Sequence, residues 1–342
     1  MTNLSRTAEK LRYAVLVRRA IRSYDPGRHQ TNLPGPFRVR VQTVDRCNGA
    51  CLMCPYSALE KPGPPNYIDD ALYAHILNEL KKMGTVRYFT PMLQDEPLVD
   101  KDIHKRIEKA RTSLGKATSI YLVTNGTLLS PGRANELIAS GIDLISVSID
   151  AFNEHTYTII HRSQKFSKVT ENVRSLLLLK PRPRVEVRFL KQQGNAGEEK
   201  AFARYWKALG ADLLFHRVVN RAGTLPAFER IKGGTGKNLK ERLFLIARDR
   251  VSPFCPLPFY SLNILWNGEV ILCCNDWGPQ EIVGDISRQS LFEIWNGSAM
   301  NHHRHLLYQG ANKKSQVCRD CSYGYDYSRA KRGEALINTG GL

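Results

Sequence analysis

Short apolar runs recur along the first two thirds of the chain, separated by longer stretches with apolar positions at helical spacing. Phe37 to Val44, Val86 to Leu93, Thr118 to Asn125, Asp143 to Asp150, Arg184 to Lys191 and Asp212 to Val219 read as strands. Between them lie helical segments such as Asp69 to Met83, which Asp69 is placed to cap. Six strand–helix repeats predict parallel α/β architecture with right-handed crossovers and helices outside. Periodicity alone leaves a partial barrel and an open doubly wound sheet both open.

The alternation also predicts which side chains face inward. Ser146, Ser148 and Asp150 alternate with Ile145, Val147 and Ile149, and Glu186 and Arg188 alternate with Val185, Val187 and Phe189. The apolar set is expected to meet the helices. The polar set then lines a wet interior suited to a hydrogen-bonding ligand, because buried charges must be paired or solvated.

The ends of the chain break this rhythm. An amphipathic helix carrying Arg6, Arg12, Arg18, Arg19 and Arg22 precedes the turn-rich stretch from Pro26 to Pro36. After Gly223, the Gly- and Lys-rich segment Thr224 to Asn238 reads as a connector. Tyr260 to Trp266 and Glu269 to Cys274 then form a hairpin across an Asn267-Gly268 type I′ turn, and a helix runs from about Ser290 to Leu307. The expected division is a helical extension 1–36, a strand–helix domain 37–223, a connector 224–254, a cysteine-rich unit 255–325 and a tail 326–342.

Of the 342 residues, Lys and Arg exceed Asp and Glu by 18. This charge is spread along the chain without an RNA-binding motif, so nucleic acid is not the expected partner. The N-terminal segment has no signal-peptide pattern and no apolar run spans a bilayer, which points to the cytoplasm. In that compartment eight cysteines are ligands sooner than disulfides.

Cys47, Cys51 and Cys54 carry the sharpest chemistry. Their C-x3-C-x2-C spacing, in a loop after a strand, can hold three irons of a [4Fe-4S] cube and leave the fourth open to a small molecule. A structural zinc site favours four ligands, and no fourth Cys or His lies nearby. Cys255, Cys273, Cys318 and Cys321 form a second, closed set, which as a donor set suits zinc and an iron–sulfur cluster equally. Cys274 is a spare thiol.

The first cysteine motif resembles that of the radical SAM enzymes. Cys255, Gly268 with Cys273, Gly284-Asp285-Ile286, Glu293-Ile294-Trp295 and the Cys318-x2-Cys321 knuckle resemble their twitch/SPASM extension, in the shorter form with one auxiliary [4Fe-4S] cluster. The resemblance spans about residues 37 to 325 and implies a partial (β/α)6 TIM-like barrel with a small C-terminal cysteine-rich β-hairpin/helix extension. It implies S-adenosyl-L-methionine as cofactor and flavodoxin or ferredoxin as electron donor. For the cofactor it implies Glu96 of Gln94-Asp95-Glu96-Pro97 (Gly-Gly-Glu-Pro in the family) at the ammonium group. It likewise implies Ser148 and Asp150 at the ribose, Arg162 at the carboxylate and Met53 beside adenine, with Asn125 as a further cofactor-binding residue.

The activity implied is reductive cleavage of the cofactor and hydrogen abstraction from a polar small molecule. Oxidation of a sugar or aminocyclitol alcohol, as in antibiotic biosynthesis, is the expected outcome. Arg217, His216, Lys191 and Arg188 are the candidate bases, and Cys274 is a candidate hydrogen donor. Epimerisation or decarboxylation of a sugar and maturation of a peptide are the alternatives.

Overall fold

The computed structural model describes residues 3–25, 33–59, 61–162, 165–233 and 255–322. The expected tail 326–342 and most of the expected connector 224–254 lie outside the described residues.

A long helix, α1 (Asn3–Arg22), precedes β1 (Arg38–Val41), α2 (Asp70–Met83), β2 (Tyr88–Thr90), α3 (Ile103–Leu114), β3 (Ser119–Thr124) and α4 (Pro131–Ala139). β4 (Leu144–Ser148), α5 (Glu154–His161), α6 (Phe166–Leu178), β5 (Arg184–Lys191), α7 (Glu199–Ala208), β6 (Asp212–Arg217) and a short α8 (Phe228–Ile231) follow. β1 to β6 lie in sequence order, all parallel, in a curved sheet that does not close. Asp69 caps α2 as expected, accepting from the amides of Ala71 and Leu72, and Gly84 ends it in the left-handed region.

The C-terminal segment joins the same sheet. β7 (Ser261–Ile264) pairs in parallel with β1, and β8 (Glu269–Ile271) and β9 (Ile282–Asp285) continue antiparallel. The type I′ turn is not what joins β7 to β8. Gly268 has φ of 94° while Asn267 is absent from the non-glycine residues of positive φ, and Leu265 N donates to Glu269 O. The loop therefore holds three residues closed by a left-handed glycine, a geometry that needs only one positive φ. The expected single helix from Ser290 to Leu307 is also two, α9 (Leu291–Asn296) and α10 (Ser298–Tyr308). Gly297 breaks them with extended ψ at a spot where a Cβ would lie 2.7 Å from Glu293 O.

Stability and chemistry sit at opposite ends of the strands. At the N-terminal end Tyr13 of α1 packs edge-on against Phe37, Tyr88 and Tyr260, and Phe37 stacks on Tyr260 at 4.8 Å, sealing the sheet with an aromatic cluster. The C-terminal ends, where β/α folds carry their sites, open onto a cavity of about 320 Å³. No helix among the described residues is long and apolar enough to cross a membrane.

Candidate active site

The loop after β1 brings Cys47, Cys51 and Cys54 to this cavity, with Met53 beside them. The loop is held from outside: Leu52 N donates to Ile160 O, and Cys51 Sγ lies 3.2 Å from Nδ1 of His161. Burial, then the charge of Glu96, pushes the Cys47 thiol up to about 12, and burial also raises Cys51 and Cys54. Three half-buried thiols that repel one another as anions are unfavourable unless a metal group takes their protons. No three His, Cys, Asp or Glu side chains among the described residues close on a single ion. The triad facing a cavity thus fits a cube, whose corners spread the thiolates apart, better than a zinc ion drawing four donors to one point.

Glu96 and Asn125 reach the cavity from the loops after β2 and β3. Glu96 accepts from Thr124 Oγ1 at 2.6 Å, Asn125 N at 2.7 Å and Leu98 N at 3.2 Å, yet burial raises its carboxyl to about 7. Asn125 in turn donates from Nδ2 to Asn48 Oδ1 at 2.7 Å, bracing the cysteine loop. Gln94, where a glycine stands in the resembling motif, donates to Asp276 O at 2.8 Å and so ties this loop to the C-terminal segment.

From β4, Ser148 and Asp150 line the cavity, as the strand alternation requires. Asp150 has φ of 60°, a costly conformation for a residue with a Cβ, and its Oδ1 accepts from Leu190 N at 2.6 Å. Ser146, one step deeper, donates to Glu186 at 2.7 Å and shields that buried carboxylate. Arg188 of β5 and His216 and Arg217 of β6 complete the lining with Arg40 and Arg221. Nη2 of Arg188 is 2.7 Å from Nε2 of His216. Burial, then the guanidiniums of Arg188 and Arg221, drives His216 well below the usual histidine range, so it stays neutral and accepts.

Two expected residues stand elsewhere. Arg162 follows the last residue of α5, is exposed and is not part of the cavity lining. Lys191 pairs with Glu199 of α7, over the ring of Phe215, also outside the lining. His161 was not foreseen. Stacked on Tyr157 at 4.4 Å and fully buried, it links Cys51 to Ile149 O at 3.1 Å and to Asp150 at 3.3 Å.

Cys255, Cys273, Cys318 and Cys321 line a second cavity with Leu257, Leu272 and Val317. Burial pushes Cys255 and Cys273 well up and Cys318 up to about 12, so this set too is a chemically unsettled cluster of thiols that suits a metal group. The knuckle is clamped to the loop after β6. Ser322 N donates to Asn220 Oδ1 at 2.8 Å, Asn220 N donates to Ser322 Oγ at 2.9 Å, and Asn220 Nδ2 donates to Asp320 O.

Residues 41–180 match the model of the radical SAM superfamily, and residues 255–322 match that of an iron-sulfur cluster-binding domain, SPASM. Among curated proteins, an S-adenosyl-L-methionine-dependent 2-deoxy-scyllo-inosamine dehydrogenase of Niallia circulans is 22% identical over 83% of this chain and 92% of its own length. A GTP 3',8-cyclase of Desulforamulus reducens is 27% identical over 52% of this chain and 54% of that protein. Among solved structures, BtrN in complex with AdoMet and 2-DOIA superposes with a TM-score of 0.58 at 20% identity, covering 84% of this chain and 92% of that one. AnSMEcpe with bound AdoMet gives 0.59 at 13% identity, covering 88% and 97%. At these identities the structural likeness speaks for the fold.

Proposed function

The chain belongs to the radical SAM superfamily, and from that premise we propose that it is an oxidoreductase that dehydrogenates an alcohol carbon of a sugar or aminocyclitol. The observation that carries the reading is the pair of cysteine sets: three thiols facing the large cavity, and four closing a smaller one. A set of three leaves an open metal corner for a ligand; a set of four leaves none and suits electron transfer. When bound, S-adenosylmethionine and two [4Fe-4S] clusters would supply reductive cleavage, hydrogen abstraction from carbon and an electron acceptor.

This chain's residues do the positioning. Cys47, Cys51 and Cys54 would hold one cluster, and Cys255, Cys273, Cys318 and Cys321 the other. Glu96 keeps a lone pair on Oε2 for a cationic ammonium, and Met53, Asn125, Ser148 and Asp150 border the space a nucleoside would take. At the β5–β6 wall His216 is uncharged with Nε2 accepting from Arg188, so it would take the hydroxyl proton when the substrate oxygen displaces that guanidinium, and Arg188 and Arg217 supply donors beside it. Arg162 and Lys191 have no part in this account.

The same reading divides the chain at 1–36, 37–223, 224–254, 255–325 and 326–342. It places the protein in a reducing compartment such as the cytoplasm, where thiols remain available as ligands. A surplus of 18 positive charges favours encounter with a small acidic electron donor of the flavodoxin or ferredoxin type.

Cys274 supports a second reading. It lines the large cavity, so a thiol stands where a substrate radical would form, as an epimerase requires. Turnover in D2O separates the two. Dehydrogenation yields a product lighter by two hydrogens and free of carbon-bound deuterium. Deuterium gained at one carbon, and lost in Cys274→Ala, overturns the dehydrogenase reading.

A further inference from the structure

The part of the large cavity built by β5, β6 and the following loop is a wall of guanidinium groups. Arg188, Arg217 and Arg221 line it, and Arg40 of β1 adds a fourth. The cavity's three carboxylates, Asp95, Glu96 and Asp150, lie after β2 and β4 and are held by backbone amides of Leu93, Asn125 and Leu190. Among the described residues they make no ion pair with Arg188 or Arg221. Arg188 donates to the neutral imidazole of His216, and Arg221 reaches Asn275 Oδ1 at 3.3 Å. Among the described residues neither guanidinium meets a carboxylate.

Arg221 is held there at a cost. Arg221 and Ala222 have φ of 49° and 57°, left-handed values that only glycine adopts freely, and Gly223 follows at 82°. Asn220 fastens this turn to the knuckle by its hydrogen bonds to Asp320 and Ser322. A Cβ on Gly223 would lie 3.1 Å from Asp320 Cβ, so the turn and the knuckle are in close approach. The fold thus spends strain and a clamp on aiming a cation into the cavity.

We propose that this wall binds an anionic group, phosphate or carboxylate, on the substrate. The inference rests on the dehydrogenase reading and narrows it: the oxidised molecule is an anion-bearing sugar or polyol. Guanidinium forks match the planar edge of either group and gain most where water is scarce. An ammonium-bearing substrate meets repulsion from the same wall, which turns a preference into discrimination.

The test uses the full chain, reconstituted anaerobically and saturated with S-adenosylmethionine, in calorimetric titrations with glucose 6-phosphate, glucuronate, glucose and glucosamine. The inference expects at least one of the two anions to bind about tenfold or more tightly than glucose, glucosamine to bind weakest, and inorganic phosphate to displace the bound anion. Which anion wins separates phosphate from carboxylate. Arg221→Gln is expected to lose about tenfold in that affinity, with Arg221→Lys recovering part of it and iron content reporting that both variants fold. Binding of glucosamine equal to or tighter than the anions, no binding of either anion, or an undiminished preference in Arg221→Gln overturns the inference. Deoxyadenosine release under dithionite is scored separately; it reports on the radical reading whatever the charge of the sugar.

Discussion

Cys273 and Cys274 are consecutive residues that face different cavities: Cys273 joins Cys255, Cys318 and Cys321, whereas Cys274 lines the large cavity with Cys47, Cys51 and Cys54. The divergence follows from the strand β8 that precedes them, since neighbours on an extended chain point to opposite sides. The second cysteine set and the large cavity are thereby joined through one peptide bond. Cys273→Ser is expected to lower iron from about eight to about four per reconstituted chain, while Cys274→Ser leaves it near eight. Iron and sulfide assays of the two variants check this. Equal loss in both contradicts the assignment.

In the role proposed for it at the cofactor's ammonium group, Glu96 ties affinity to pH. Burial, offset by hydrogen bonds from Asn125 and Thr124, leaves its carboxyl at about 7 instead of 4.5. A carboxyl raised on folding contributes stability that is full below its unfolded value and lost as pH rises through the folded one. The same ionisation creates the charge that an ammonium needs. S-adenosylmethionine affinity is therefore expected to rise about tenfold between pH ~6 and pH ~8, and Glu96→Gln to bind more weakly with a flatter profile. Titrations at several pH values measure it.

The Asn220 clamp is the contact by which the barrel loop grips the knuckle. Asn220→Ala removes the two side-chain hydrogen bonds, keeps the one from its backbone N–H to Ser322 Oγ, and leaves Ser322 N and Asp320 O to solvent or unpaired. A loss of about 1–3 kcal/mol in local stability is expected. The second iron–sulfur group should then be lost first during oxidation or chelation, with the Cys47 set retained. Stepwise iron release followed by absorbance reads the order.

Much of this arrangement was legible before any coordinates. The six parallel strands follow from local apolar periodicity, and the Cys47 triad from spacing within eight residues. The inward turn of Ser148, Asp150 and Arg188 follows from period-two alternation, and the cavity lining agrees with it. What escaped depends on elements far apart in sequence. His161 meets Cys51 only because α5 packs beside the cysteine loop, and β7 reaches β1 across more than two hundred residues. Arg162 stands outside the cavity lining for a local reason: α5 ends one residue earlier and the chain turns it to solvent. Lys191 finds its partner Glu199 on α7, a pairing that no strand pattern announces.

The most direct measurement is 5′-deoxyadenosine release. Anaerobically reconstituted chain, given S-adenosylmethionine and dithionite, is expected to form it, and replacement of Cys47, Cys51 and Cys54 by Ala to abolish it while the second cysteine set still binds iron. Protein that carries the iron–sulfur absorbance yet forms no deoxyadenosine, or the triple variant forming as much as the parent, would contradict the account at its root.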